Sequence, residues 1–185
     1  DLMAVTDLMS PFLSAGFYYK TFMWPAALWE KLYEPAIRNS AGLGRLSMEE
    51  DPDTYDKGFL HCDLLVIGAG PSGLAAALAG ARSGARVILA DEDFALGGRL
   101  SAETLEGDGM GGADWGAQTV AELAAMENVT MRNRTMGAGV YDHGYALGYE
   151  RVGDHQPAAT GPRHRLWRIR AAQIVTATGA IERPL

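Results

Sequence analysis

Cysteine is nearly absent from the chain: Cys62 is the single one among 185 residues. One cysteine cannot form a disulfide within the chain, and it cannot supply the ligands of an iron–sulfur cluster. Because Cys62 precedes an apolar run, we expect an inert, buried thiol rather than a nucleophile. The low cysteine content favours a reducing, cytoplasmic location.

An excess of positive charge is also missing, and so is an uninterrupted membrane-length apolar segment. The chain has 16 basic and 23 acidic residues, and its formal net charge of −7 argues against general nucleic-acid binding. Residues 64–81 carry no charge, but glycine, proline and serine divide them into a strand, a turn and a helix, which argues against a membrane span. Asp1 and Asp7 stand where a signal peptide would be basic.

Catalytic and metal-binding patterns are not recognisable either. The four histidines lack the spacing of metal ligands: His61, His143, His155 and His164. No nucleophile–base combination or carboxylate pair stands out from the sequence. We therefore predict neither a metal site nor a catalytic residue in this chain.

The chain does contain a glycine motif between a predicted strand, residues 63–68, and a predicted helix, residues 72–83. In this G-x-G-x-x-G pattern, Gly68 allows a tight turn, Gly70 lets phosphates approach the backbone, and Gly73 lets the helix pack closely on the strand. Pro71 and Ser72 fall in the first helical turn, whose N–H groups attract phosphate. The motif predicts a site for the pyrophosphate of a dinucleotide.

An acidic residue follows the motif at the expected distance. Asp91 and Glu92 come directly after a second apolar run, residues 85–90, and Asp91 lies 18 positions after Gly73 (91 − 73). In dinucleotide-binding β-α-β units, an acid about 20 residues on binds the adenosine ribose. A carboxylate there would repel a 2′-phosphate, so NAD or FAD is favoured over NADP. The alternative is a solvated acid at a strand end.

The order of the predicted elements indicates an α/β protein with a Rossmann-like parallel sheet. After the β-α-β unit we predict a long loop (92–112), a helix (115–126) and a short strand (129–132). A hairpin then follows over 135–141 and 145–151, and strand segments follow over 165–171 and 173–178. This β-meander replaces the usual crossover helix and should form a small antiparallel layer on one face of the parallel sheet.

The first 60 residues differ in character from the rest. We predict an irregular or helical N-terminal arm and linker over residues 1–60, and a dinucleotide-binding domain over 61–185 that is incomplete and continues past the C-terminus. Residues 26–38 are compatible with one helix that begins at Pro25 and is interrupted by Pro35. The arm is rich in aromatic residues. This composition fits two interpretations equally well: an arm packed against other protein, and ordinary core packing. In the last strands, Arg168 and Arg170 share one side, and we favour a solvated strand face over a nucleic-acid patch.

Three features together resemble the flavoproteins with two dinucleotide-binding domains. They are the glycine motif, the loop Leu96-Gly97-Gly98-Arg99-Leu100, and the strand end Ala177-Thr178-Gly179. The resemblance implies that the loop with Gly98 and Arg99 and the strand end with Ala177, Thr178 and Gly179 come close to the nucleotide. Residues 100–112 contain no cysteine, which excludes the disulfide reductases of this fold, because these carry a redox pair there.

A finer resemblance extends across most of the chain. Several blocks are similar to the alpha-subunit family of heterotetrameric sarcosine oxidase: Lys20-Thr21-Phe22-Met23-Trp24-Pro25, Trp29-Glu30-Lys31-Leu32-Tyr33-Glu34-Pro35, Ala41-Gly42-Leu43-Gly44, His61-Cys62-Asp63 and Ala180-Ile181-Glu182-Arg183-Pro184. Subunits of opine dehydrogenase and hydrogen cyanide synthase share some of them. The chain resembles a minor, N-terminal part of such a subunit.

The sarcosine oxidase resemblance implies a division of labour between subunits. Such complexes demethylate sarcosine to glycine with tetrahydrofolate and O2 and release H2O2, and they carry FAD and FMN outside this chain. The resemblance implies that the present site holds NAD and that other subunits are the protein partners. Two alternatives stay open: an FAD-dependent NAD(P)H or amine/opine oxidoreductase with the flavin in this site, and a structural nucleotide-binding assembly module.

Overall fold

The computed structural model describes residues 24–42, 44, 47–102, 111–156 and 160–180, together with Gly16. The chain divides into two compact units, residues 1–51 and 52–185. Most of the predicted aromatic arm and the resemblance blocks at 20–23 and 181–184 lie outside the described residues. The structure therefore describes only some of the sequence blocks that carry the alpha-subunit resemblance.

In the first unit, the described residues form one helical run whose geometry changes along its length. It passes from a 3-10 turn (Ala26–Leu28) through a π-helical segment (Trp29–Tyr33) to helix α1 (Glu34–Ser40). The predicted helical segment is confirmed, but as a run of three geometries rather than one regular helix. Pro35, which we expected to interrupt it, lies in the first turn of α1, directly after the π-helical segment. The run therefore changes geometry beside this proline without ending there.

The second unit is built on a six-stranded sheet. Its strands are β1 (Tyr55–Ile67), β2 (Val87–Ala90), β3 (Val129–Arg132), β4 (Thr135–Tyr141), β5 (Tyr145–Arg151) and β6 (His164–Thr176). Their order is β3-β2-β1-β6-β5-β4, with parallel pairs from β3 to β6 and antiparallel pairs from β6 to β4. The predicted α/β class, with a Rossmann-like parallel core and a β-meander, is confirmed.

The two central strands are longer than predicted. β1 begins at Tyr55 rather than residue 63, and β6 is one strand rather than two segments. The two strands pair with each other in parallel along almost their whole length. β2 flanks only the second half of β1, and β5 flanks only the first half of β6. We predicted residues 55–60 as part of the arm and linker. The side of this segment that carries Leu60 also carries Asp56 and Gly58, so the sequence shows no apolar alternation there.

Both faces of the parallel strands are covered. Helices α2 (Pro71–Arg82) and α3 (Gly112–Ala124) contribute to one buried cluster with Val66 and Leu89, which also contains Leu100 of a short 3-10 turn (Gly98–Ser101). The meander contributes to a second cluster, in which Leu65 and Ile88 pack with Ile169. Burial on both sides explains the uniformly apolar β2. The predicted antiparallel layer is thus present, and hydrogen bonds along β6 join it to the parallel sheet.

None of the helices in the described ranges combines the length and hydropathy that a bilayer span requires. The uncharged residues 64–81 are divided between the end of β1, the glycine turn and most of α2. The predicted helix at 115–126 begins three residues earlier and ends two residues earlier, at Gly112 and Ala124.

Candidate dinucleotide-binding site

The glycine turn between β1 and α2 is held by two close backbone contacts. Gly68 has φ +99°, and a Cβ at this position would overlap the carbonyl oxygen of Ala177. A Cβ on Gly73 would overlap the carbonyl oxygen of Gly68. Because the obstructing atoms are backbone, these positions accept only glycine without a shift of the chain. The backbone at the end of β1, in the first turn of α2 and just after β6 is therefore in direct contact at this turn.

Gly70 differs from the other two glycines of the motif. Its backbone is extended (φ −67°, ψ −175°), and a Cβ there meets no atom of the described residues within 4 Å. The space beside Gly70 is part of an open cleft. The folded chain therefore does not need glycine here for its own packing, and the bare backbone leaves room for a ligand.

The start of helix α2 faces this cleft with uncapped backbone donors. Gly70 is the N-cap residue, Pro71 begins the helix, and no described side chain caps it. Pro71 and Ser72 both line the cleft. The aligned peptide dipoles of a helix place roughly half a positive charge at its first turn, which favours an anionic group there.

Asp91 lies at the carboxyl end of β2, and backbone donors fix its orientation. The Ala69 N–H donates to Oδ2 of Asp91 at 2.5 Å, and the Asp93 N–H donates to Oδ1 at 2.9 Å. The half-buried carboxylate is thereby tied to the glycine turn itself. Each carboxylate oxygen has a further lone pair, with which it can accept a hydrogen bond from a ligand hydroxyl. Glu92 and Asp93 also line the cleft, so this end of it is strongly acidic.

The loop that carries Gly98 and Arg99 packs directly on the glycine turn. The Gly97 N–H donates to the Ala69 carbonyl at 2.9 Å, and a Cβ on Gly98 would lie 3.1 Å from Cα of Gly70. Gly97 and Gly98 both have positive φ, +126° and +54°. The two glycines therefore bring the loop against the turn, and Arg99 follows at the edge of the cleft.

The end of β6 closes the cleft on the opposite side of the turn. The Ala177 N–H donates to the Ile67 carbonyl at 2.7 Å, which holds the segment beside the end of β1. Ala177, Thr178 and Gly179 then line the cleft. The three separate segments that the sequence singled out are thus adjacent in space.

Together these segments enclose an open cleft of about 800 Å3. Ligand sites commonly measure about 300–1,000 Å3, so the volume suits a nucleotide-sized group. Every predicted site residue lines this cleft except Gly73, which packs beneath it on Gly68.

Sequence reasoning missed the contribution of β4. Thr135, Met136 and Gly137 line the cleft, and the Thr135 N–H donates to the Asp91 carbonyl at 2.7 Å. A Cβ on Gly137 would lie 2.6 Å from a methyl group of Ile67, so glycine lets β4 pack against the end of β1. The available signal was the position of Thr135, which follows β3 after only two residues and so must start near the same sheet edge.

The groups with shifted pKa values lie outside the cleft lining. Burial raises the pKa of the Cys62 thiol to about 11, as expected for an inert core cysteine. The Arg86 guanidinium and backbone N–H lower the pKa of Asp63 to about 2. No group of three or more potential metal ligands occurs among the described residues. The cleft is therefore organised for binding by backbone donors and carboxylates.

Comparisons with known proteins agree with this architecture. Residues 63–172 match the model of a family described as FAD dependent oxidoreductase. The chain is 57% identical to "Sarcosine oxidase subunit alpha" of Rhizobium meliloti (strain 1021) over 100% of its own length and 19% of that protein. It is 48% identical to "Sarcosine oxidase subunit alpha" of Corynebacterium sp. (strain P-1), over 78% of this chain and 15% of that protein. The chain thus spans about a fifth or less of these relatives.

A solved structure has the same fold. The crystal structure of L-proline dehydrogenase from P. horikoshii is 26% identical, with a TM-score of 0.54, over 75% of this chain and 26% of that one. The resemblance to sarcosine oxidase alpha subunits inferred from sequence blocks is confirmed by these relatives.

Proposed function

Since the chain belongs to the FAD dependent oxidoreductase family, we propose that it is the dinucleotide-binding part of an alpha subunit in a sarcosine-oxidase-like complex. The complex would act on the CH–NH bond of sarcosine, with tetrahydrofolate and O2 as co-substrates and glycine and H2O2 among its products. The reaction itself would take place at FAD and FMN held elsewhere in the complex, in the cytoplasm. The observation that carries the proposal is the junction of the glycine turn with Asp91, through the Ala69 N–H.

The proposed binding mode follows from the polarity of the cleft. The uncapped first turn of α2 would hold the pyrophosphate beside Gly70, because positive dipole ends stabilise anions. Asp91 would accept hydrogen bonds from the ribose hydroxyls through the lone pairs that Ala69 and Asp93 leave free. Glu92, Asp93 and Asp91 together would disfavour a 2′-phosphate, so NADP is not the proposed ligand.

The proposed resident is NAD, with FAD as the alternative. NAD follows from the alpha-subunit resemblance, whereas the family description favours FAD. NAD and FAD share the adenosine diphosphate half, and this is the part that the glycine turn and Asp91 would bind. A bound dinucleotide that reacts would supply hydride or electron transfer. A dinucleotide that does not react would be a fixed structural element. In the second case the chain would serve as an assembly module.

A valine at Gly70 tests the proposal without disturbing the fold. Its Cβ would enter the cleft rather than contact a described protein atom, and the extended backbone before Pro71 accepts a β-branched residue. Overpacking by such groups costs about 1–3 kcal/mol, so we expect dinucleotide affinity to fall about 10- to 100-fold. Gly161→Val is the matched control, because Gly161 also precedes a proline, has open space around its Cβ and lies outside the cleft.

The measurement is the dinucleotide content of the purified complex, by mass spectrometry of the released cofactors. A loss of NAD with unchanged FAD in Gly70→Val identifies NAD as the resident of this cleft. A loss of flavin with unchanged NAD identifies FAD instead. If Gly70→Val and Gly161→Val both keep the full content of NAD and flavin, the cleft is not the dinucleotide site.

A further inference from the structure

One side of the meander half of the sheet carries basic and aromatic residues from three strands. Residues paired across neighbouring strands point to the same side of a sheet, and successive residues alternate. The registers of β1, β6 and β5 therefore place twelve side chains together. We call this set the basic–aromatic face: Tyr55, Lys57, Phe59, His61, His164, Leu166, Arg168, Arg170, Tyr145, Leu147, Tyr149 and Arg151.

The opposite side of the same strands is part of the protein core. Leu60, Trp167 and Ile169 pack in the buried cluster beneath the meander. Helices α2 and α3 do not cover the basic–aromatic face, because their cluster includes Leu64 and Val66 of β1 but none of the twelve residues. Among the described residues of the second unit, neither helix covers this side of the sheet.

The charge of the basic–aromatic face is opposite to that of the chain. None of its twelve residues is acidic, although the chain has a formal net charge of −7. Of the nearby acids, Asp56 and Glu150 alternate to the other side, where both contact Arg165. Asp154 contacts His164 at one end of the face, away from Arg168 and Arg170. The face is therefore a positive surface on an otherwise acidic protein.

Two arginines of the face are held over aromatic rings rather than by carboxylates. Arg168 lies 5.4 Å from the ring centre of Phe59, and Arg170 lies 5.3 Å from that of Tyr145. Arg170 also donates to the His143 carbonyl at 2.9 Å, and no described carboxylate pairs with either guanidinium. Stacking orders each guanidinium while leaving N–H donors for a bidentate carboxylate contact.

Two aromatic side chains of the face are exposed, whereas Tyr145 and Tyr149 are half-buried. Phe59 is 66% exposed and Tyr55 is 56% exposed, and the adjacent Tyr141 of β4 is 54% exposed. Exposed Arg and Tyr side chains beside other aromatic groups are typical of the centres of protein–protein interfaces. An exposed surface of this composition is therefore a candidate interaction site.

We propose that the basic–aromatic face is a docking surface for an acidic segment of another subunit of the complex. Carboxylates of that segment pair with Arg168 and Arg170, and its apolar groups cover Phe59 and Tyr55. The absence of any acid from the face selects an acidic partner and disfavours a second copy of the same face, because two positive surfaces would repel. This inference rests on the proposed membership of a multi-subunit complex.

Site-specific cross-linking in the assembled complex identifies the occupant. A photo-reactive benzoylphenylalanine at position 59 preserves an aromatic side chain there, and the cross-linked peptide is identified by mass spectrometry. We expect an acid-rich peptide from another subunit. A peptide from the same chain, or from a second copy of it, would overturn the proposal.

A charge reversal tests the role of the arginines. We expect Arg168→Glu to raise the dissociation constant between this subunit and its partner at least about tenfold at low salt, and Arg168→Lys to raise it less. Added salt should weaken the wild-type contact more than the Arg168→Glu contact. Arg82→Glu is the matched control, since Arg82 is exposed on α2, away from the face, and pairs with Glu122.

The outcomes separate this inference from the proposed function. If no other subunit copurifies with the wild-type protein, the proposed complex itself is wrong. If the subunits copurify, but Arg168→Glu binds as tightly as Arg82→Glu, only the docking surface is wrong.

Discussion

Replacing Gly68 by alanine tests whether the glycine turn is set by the protein's own backbone. The alanine would face two separate penalties. Gly68 has φ +99°, a region in which an L-residue costs about 1–2 kcal/mol. Its Cβ would also overlap the carbonyl oxygen of Ala177, which cannot move without shifting the end of β6.

Gly84→Ala separates these two penalties. Gly84 has a similar φ of +88°, but a Cβ there meets no described atom within 4 Å. It should therefore show the dihedral penalty alone. Overpacking against fixed atoms adds about 1–3 kcal/mol, so Gly68→Ala should be about 2 kcal/mol less stable than Gly84→Ala.

Thermal and urea unfolding of the two variants measure the difference. For a chain of this length, about 2 kcal/mol corresponds to a difference in Tm of about 4–8 °C. Because the overlap moves the end of β6, Gly68→Ala should also bind dinucleotide less tightly, whereas Gly84→Ala should bind it as the wild type does. Equal losses of stability in the two variants would refute the claim that Ala177 limits position 68.

Three other expectations concern single side chains. Asp91→Asn keeps the shape of the side chain but removes its charge. NAD affinity should therefore fall about tenfold or more, and the ratio of NAD affinity to NADP affinity should decrease. Unchanged NAD affinity in calorimetry would contradict the assigned role. Arg86 lowers the pKa of Asp63 from 3.8 to about 2, so the stability that this pair contributes should be present above about pH 4 and be lost as pH falls towards 2. Asp63→Asn should flatten that part of the acid-unfolding profile, and an unchanged profile would exclude the pair as its cause. The pKa of Cys62 is raised to about 11 by burial, so a thiol reagent at neutral pH should label it only in unfolded protein; rapid labelling of the folded protein would show that the thiol is accessible.

The elements predicted best are those whose signals are local. The glycine turn, α2 and β2 follow one another within a short segment, and the apolar run of each buried strand is visible in the sequence. The hairpin bounds, Thr135–Tyr141 and Tyr145–Arg151, were also predicted as observed, because turn residues stand between two strand-like runs. The first half of β1 was not predicted, since Asp56 and Gly58 share the side of Leu60 and break the apolar alternation expected of a strand.

The sequence alone determined the β-α-β unit, the glycine motif and the spacing of Asp91, since contacts between near neighbours along the chain set them. Tertiary structure decided which distant segments complete the cleft. Only the folded chain brings Ala177 against Gly68 and Thr135 against Asp91, because long-range strand pairing sets these contacts. The basic–aromatic face likewise exists only once β1, β6 and β5 are in register, since its twelve residues are scattered over three separate segments.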